Sequence, residues 1–169
     1  MPKLVTGMRS PKGFTLVEIL IVLVIIGITF GFALLAFGDF GENRKILFSA
    51  EQLVNTLRLA QQQAILETST LGLRIDNNGY QILQLQNNNQ WKPISNKGVF
   101  KMTRFPQGTR ITLKTNTRTP PGAPSIIITP SGAMTPFTLN FGNNPKNNLA
   151  ILKGKNNGNL TFSSNQSEH

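Results

Sequence analysis

The side chains that most often perform acid–base or nucleophilic chemistry are scarce in this chain. It has no cysteine, and its single histidine is the last residue, His169. Apart from Glu18 and the tail residue Glu168, its carboxylates lie near the predicted helix or its first hairpin: Asp39, Glu42, Glu51, Glu67 and Asp76. These residues form no nucleophile–base arrangement and no cluster with metal-ligand spacing. The sequence therefore predicts no enzyme, no metal site and no cofactor.

Glu18 is the one carboxylate inside an apolar stretch. Four residues, Phe-Thr-Leu-Val, precede it, and residues 19–37 follow it without a single charge. A helix rises about 1.5 Å per residue, so this run is long enough to cross the ~30 Å hydrocarbon layer of a membrane. A carboxylate at the interface costs much less than the ~2.5 to 3.5 kcal/mol estimated for a charge at the helix centre. The four preceding residues extend the apolar stretch, however, and so place Glu18 deeper in the membrane. This position favours a carboxylate that has a partner.

The charges that flank the apolar run set its orientation. Lys3, Arg9 and Lys12 precede it with no acidic residue among them, whereas the charges that follow it cancel. By the positive-inside rule the N-terminus stays in the cytoplasm and the rest of the chain crosses the membrane. Within the run, Gly27 and Gly31 form a GxxxG spacing, which allows a second helix to approach closely.

The second half of the chain is strongly basic. The net charge is +10, and residues 77–167 contain ten basic side chains but no acidic one. Such a field attracts polyanions such as DNA or anionic lipid, although a solvated basic surface has the same composition. The residues that we single out as candidates for polyanion binding are Lys101, Arg104, Arg110, Lys114, Arg118, Lys153 and Lys155.

The elements that position these residues are predicted by periodicity. Beyond the apolar run, apolar residues recur at helical steps of three and four: Ile46, Ala50, Leu53, Leu57, Ala60 and Ala64. We predict one helix from residue 14 to about residue 67, whose second half is amphipathic. Alternating patterns and turn residues then predict antiparallel strands near residues 71–75, 80–86, 110–114, 125–129, 137–141, 149–152 and 159–162. This order predicts an α+β fold.

The N-terminal residues resemble the class III leader of type IV pilins and of the pseudopilins of type II secretion. The resemblance rests on Lys12-Gly13, on the following Phe14-Thr-Leu-Val-Glu18, and on the long apolar run. It implies that a prepilin peptidase cuts between Gly13 and Phe14 and methylates the new amino group of Phe14. It also implies that Glu18 pairs with this amine of a neighbouring subunit during assembly. Such pairing lowers the cost of both charges in a low dielectric.

A second stretch, Pro-Ser-Gly-Ala-Met-Thr-Pro-Phe at residues 130–137, looks like a segment of the H-type minor pseudopilins of type II secretion. Leu-Arg-Leu-Ala-Gln-Gln at 57–62, Tyr-Gln-Ile-Leu at 80–83 and Trp-Lys-Pro at 91–93 follow in the order of that family, although Thr129 replaces an expected aromatic residue. The resemblance implies a pilin-like fold of a long helix packed on antiparallel sheets. Its parts are a leader at 1–13, a transmembrane helix half at 14–38 and a periplasmic domain at 39–169.

The same resemblance implies a structural role in protein export. A minor pseudopilin lies at or near the tip of the periplasmic pseudopilus and helps to drive folded proteins across the outer membrane. The implied partners are the other minor pseudopilins, the major pseudopilin, the prepilin peptidase, the inner membrane and the exported proteins.

The alternative is a minor pilin that binds DNA for natural transformation, which shares this fold. The acid-free basic stretch favours that reading. That group carries a Gly-Arg-x-Arg segment near its C-terminus, however, and Gly-Lys-Asn-Asn stands at residues 154–157 of this chain. The sequence therefore favours secretion over DNA uptake.

Overall fold

A computed structural model describes residues 14–95, 97–117, 119, 123–144 and 147–165. The chain divides into two compact units, which part between Asp39 and Phe40. The helix α1 runs through Leu16–Leu66 and contributes to both, close to the predicted bounds of 14 and 67. Gly13, the leader and Arg118 lie outside the described residues.

The first unit contributes the apolar half of α1. Leu16–Ala33 is long and apolar enough to cross a membrane, with a mean hydropathy of 2.7 and none of its residues buried. The one hydroxyl within this window, on Thr29, donates a 2.8 Å hydrogen bond to the Ile26 carbonyl oxygen. Its polar group is thus satisfied inside the helix, as a lipid environment requires.

In the second unit, α1 packs through one face. The six apolar residues predicted to share that face are all at most 1% exposed. Glu51, Asn55, Arg58 and Gln62 are exposed, as the amphipathic pattern predicts. The predicted amphipathic half is therefore confirmed, and it forms one wall of the core.

Two antiparallel sheets complete the second unit. The first sheet has the order β3-β2-β1-β6, and β4 pairs with the same edge of β2 as β3 does. The second sheet has the order β5-β7-β8-β9. The strand bounds are β1 Leu71–Ile75, β2 Gly79–Leu85, β3 Trp91–Pro93, β4 Thr103–Arg104, β5 Arg110–Thr115, β6 Ile126–Ile128, β7 Phe137–Asn144, β8 Asn147–Gly154 and β9 Leu160–Ser164. The α+β prediction is confirmed.

Two features of the sheets differ from the sequence-based prediction. The short strands β3 and β4, with a 3-10 turn at Gly98–Phe100 between them, were not predicted. An asparagine-rich turn was predicted over residues 143–148. In the structure β7 continues to Asn144 and β8 begins at Asn147, and these two residues pair with each other. Asparagine has a low intrinsic preference for strands, and here the pairing with a neighbouring strand overrides that preference.

The core lies between α1 and the inner faces of the sheets. Phe105, which follows β4, joins the two sheets: its ring centroid lies 5.5 Å from that of Tyr80 and 6.2 Å from that of Phe141. The Tyr80 hydroxyl lies 3.4 Å from the hydroxyl oxygen of Thr56, which is buried on α1. The first pair is tilted and the second is edge-on, and aromatic pairs add about 0.5 to 1.5 kcal/mol each beyond area burial. The short strand β4 thus positions an aromatic anchor.

Candidate functional site

The start of α1 carries the residues that the leader motif assigns to assembly. Phe14 is 79% exposed, and Thr15 caps the helix by accepting a 3.2 Å hydrogen bond from the Glu18 backbone N–H to its hydroxyl oxygen. Glu18 lies in the first turn, where the helix dipole favours a carboxylate. Its side chain is exposed and forms no ion pair within the described residues, so it is available to a group from outside this chain.

The apolar half of α1 is also exposed on all its faces within the described residues. Every large apolar side chain from Phe14 to Phe32 is at least 44% exposed. Gly27 and Gly31 are one helical turn apart, and a Cβ atom added at either would meet nothing within 4 Å. This surface needs lipid or other helices around it, and the two glycines leave a shallow place in it.

The 130–137 segment forms a compact turn that returns to the first sheet. The Thr129 N–H donates to the Ala133 carbonyl at 2.9 Å, and Gly132 in the middle has a φ of 82°. The Thr129 hydroxyl lies 2.9 Å from that of Ser131 and also donates to the Ala133 carbonyl. The threonine that replaces the expected aromatic residue therefore braces the turn by hydrogen bonds.

Gln61 of α1 connects this turn with the β8–β9 turn. Its amide nitrogen Nε2 donates to the carbonyl oxygens of Gly132 at 2.6 Å and Gly158 at 3.2 Å. The Met134 N–H donates to the Asn156 carbonyl oxygen at 3.2 Å, so the two turns also contact each other directly. We call this contact of α1 with two turns the Gln61 junction. It brings the 57–62 and 130–137 segments, far apart in the chain, into contact.

The basic candidates are distributed over several surfaces. Arg110, Lys114 and Lys153 come together on the second sheet, on the face turned away from the core. Lys101 and Arg104 lie at the β4 edge of the first sheet, and Lys155 lies in the β8–β9 turn. The structure thus brings three of the seven onto one sheet face.

Arg104 also lines a groove between α1 and the residues that follow β4. The groove has a volume of about 520 Å³, and Arg44, Lys45 and Phe48 of α1 line its other side. Phe48 is 69% exposed. A signal was present in the sequence, because Phe48 falls outside the buried helical stripe that starts at Ile46.

The described residues contain no group of three or more His, Asp or Glu side chains placed to hold a metal ion. No arrangement in this part of the chain offers nucleophilic or acid–base chemistry. What it offers is an exposed carboxylate near the start of an apolar helix and several polar surfaces on a rigid domain. These are features of a subunit that assembles with others.

Comparisons with known proteins identify the family. The model described as type II transport protein GspH matches residues 49–168, and that of the prokaryotic N-terminal methylation motif matches residues 8–34. Type II secretion system protein H of Pseudomonas aeruginosa is 26% identical over 147 residues, which cover 78% of this chain and 83% of that protein. The corresponding protein of Aeromonas hydrophila is 24% identical over 144 residues, with 76% and 79% covered.

Solved structures agree with this assignment. The minor pseudopilin EpsH from the type 2 secretion system of Vibrio cholerae superimposes with a TM-score of 0.60 at 26% identity, covering 71% of this chain and 97% of that one. The solution structure of Escherichia coli GspH has a TM-score of 0.60 at 18% identity, with 75% and 93% covered, and shares the fold. None of these findings favours DNA uptake.

The apolar helix and the family together indicate a membrane-anchored protein with a periplasmic domain, which assembles with other pseudopilins. The GspH match spans more than half of the residues, and it follows the methylation motif on the same chain. The chain therefore belongs to the GspH family and is a minor pseudopilin of the type II secretion system.

Proposed function

We propose that this chain is a structural subunit at or near the tip of the periplasmic pseudopilus and helps to drive folded proteins across the outer membrane. The observation that carries the proposal is the GspH match over residues 49–168 of a chain that also carries the methylation motif. Its partners are the other minor pseudopilins, the major pseudopilin and, directly or indirectly, the exported proteins. It has a mechanical role and no catalytic step.

The anchor is a single span of the inner membrane, with the N-terminus in the cytoplasm and residues 39–169 in the periplasm. The three basic residues before the apolar run support this orientation, because basic residues are retained on the cytoplasmic side. The span holds the subunit in the membrane until it joins a filament. Gly27 and Gly31 are proposed to be a place where a neighbouring helix packs closely.

Maturation is proposed to occur at the junction of leader and helix. The prepilin peptidase cuts after Gly13 and methylates Phe14, which the helix start leaves exposed. Removal of residues 1–13 takes away three positive side chains and no negative one, so that the net side-chain charge falls to +7. Cleavage also creates an α-amino group four residues before Glu18.

Mass spectrometry of the membrane-extracted protein tests this maturation. We expect the N-terminal peptide to begin at Phe14 and to be one methyl group heavier than its sequence requires. In a strain without the prepilin peptidase the same protein should keep residues 1–13. Retention of the leader in cells with an active peptidase would contradict the proposed site.

Deletion of the gene tests the function itself. We expect the release of proteins through the type II system to fall to background while natural transformation, measured in parallel, stays unchanged. A plasmid copy of the gene should restore release. Lost transformation with normal secretion would instead support the DNA-uptake reading.

A further inference from the structure

The outer face of the second sheet is a polar surface of defined layout. Burial alternates along β5, with Ile111 and Leu113 toward the core and the residues between them exposed. The strand register then places three rows of side chains on this outer face. They are Lys114–Thr138–Lys153–Thr161, Thr112–Asn140–Ile151–Ser163 and Arg110–Gly142–Asn148.

The three cations of the outer face are fixed relative to one another. Lys114 and Lys153 lie two strands apart, which is about 10 Å, and Arg110 and Lys114 lie four residues apart on β5, which is about 13 Å. None of the three forms an ion pair within the described residues. Since residues 77–167 contain no Asp or Glu, the strands of this sheet supply no carboxylate either. The positive charge of this face is left for another molecule.

A shallow polar pocket of about 360 Å³ lies beside Arg110. Amide and hydroxyl side chains line it, and Gly142, which has no side chain, leaves space between them. At one end the Asn77 side-chain oxygen accepts a 3.1 Å hydrogen bond from the Ile111 N–H, which ties the β1–β2 turn to β5. The other amide and hydroxyl residues of the lining are Thr109, Thr112, Asn140, Asn144 and Asn148.

We propose that the outer face binds an extended, acidic segment of another protein chain. Two carboxylates four residues apart in that segment would meet Arg110 and Lys114, because residues four apart in a strand lie on the same side and span the same distance. The amides of Asn140 and Asn148 in the pocket, each with a donor and an acceptor, match the N–H and C=O groups of a peptide backbone.

Charge and hydrogen-bond chemistry distinguish this partner from others. A second copy of the chain has no acidic residue between 77 and 167, and no two of its carboxylates lie four residues apart, so it lacks such a segment. A phosphate backbone is a row of acceptors, so it would offer no donor to the amide oxygens of Asn140 and Asn148. The proposal goes beyond the function above and does not depend on it, because it concerns binding by the isolated chain.

Two labelled peptides of identical composition test the proposal. Both carry two Asp residues among Thr and Ser. The Asp residues are four apart in the first peptide and three apart in the second. When extended, the first peptide presents its carboxylates on the same side and the second presents them on opposite sides. With the full chain in detergent, fluorescence anisotropy should give a Kd about tenfold lower for the first peptide. Equal affinities would overturn the proposal, and this result needs no variant.

Two charge-matched variants locate the binding. Arg110→Gln, Lys114→Gln and Lys153→Gln together should weaken the first peptide at least about tenfold. The control, Arg58→Gln, Lys92→Gln and Lys97→Gln, removes the same charge from exposed positions elsewhere and should leave the Kd unchanged. Equal losses in both would mean attraction by net charge alone. Tighter binding of a short DNA duplex than of the peptide, dependent on the first three cations, would reassign the face to nucleic acid.

Discussion

Replacement of Glu18 by alanine is expected to leave the protein in the membrane and to lower its incorporation into the pseudopilus more than tenfold. In the proposed assembly, the Glu18 carboxylate meets the Phe14 amine of a neighbour in a low dielectric. Removal of one partner of a buried pair costs roughly 3 to 5 kcal/mol, since the other charge stays buried and unpaired. Membrane insertion should not suffer, because a charge is removed from an apolar segment.

The measurement compares the membrane fraction with the filament fraction obtained by shearing, for cells that produce each variant at equal levels. Glu18→Gln should fail like alanine because it keeps the shape and loses the charge, whereas Glu18→Asp should retain part of the incorporation. Glu42→Ala is the matched control, an exposed carboxylate on the same helix. In all four variants the leader should be removed and the new N-terminal residue, Phe14, should be methylated. Normal incorporation of Glu18→Ala would rule out the pairing.

The helix could be predicted almost to its ends because one simple pattern governs each half. A run without charges identifies the first half. A stripe of apolar residues identifies the second, and burial of Ile46, Ala50 and Leu53 to 1% exposure or less shows that this stripe lies at the centre of the contact. One-sided packing preserves the pattern in the sequence.

The sheets could be predicted only in part, because strand pairing depends on contacts between distant residues. The β1–β2 hairpin has a local signal: the Asp76 carboxylate accepts hydrogen bonds from the N–H groups of Asn78 at 2.7 Å and Gly79 at 3.0 Å. The pairing of β1 with β6, in which Leu73 lies opposite Ile126, has no such signal. The two residues of β4 are too few to show a period at all.

The same distinction applies to the candidate sites. The maturation motif is contiguous, so it can be recognised without a fold. The period of β5 already places Arg110 and Lys114 on one side, but Lys153 joins them only because β7 lies between β5 and β8. The strand order, which no local sequence pattern reveals, brings these three cations together on one face of the sheet.

Replacement of Gly158 by alanine is expected to destabilise the second unit by about 2 to 5 kcal/mol, at or above the upper part of the usual range for single substitutions. Gly158 has a φ of 82°, a conformation that costs an L-residue about 1 to 2 kcal/mol. A Cβ atom there would also overlap Nε2 of Gln61 and the carbonyl oxygen of Gly132. One of these contacts is backbone and cannot rotate away, so the two turns must separate. Separation deprives the Gln61 amide of its acceptors, which adds roughly 1 to 3 kcal/mol.

Gly108→Ala separates the backbone cost from the packing cost. Gly108 has nearly the same φ, 79°, but a Cβ atom there would meet nothing within 4 Å. Denaturant unfolding followed by the fluorescence of Trp91, the single tryptophan, should therefore show a loss of only about 1 to 2 kcal/mol for Gly108→Ala. Equal losses for the two variants would mean that the Gln61 junction contributes nothing. The expected difference would establish that this junction holds α1 to both turns, and hence that the 57–62 and 130–137 segments contribute to the stability of the second unit.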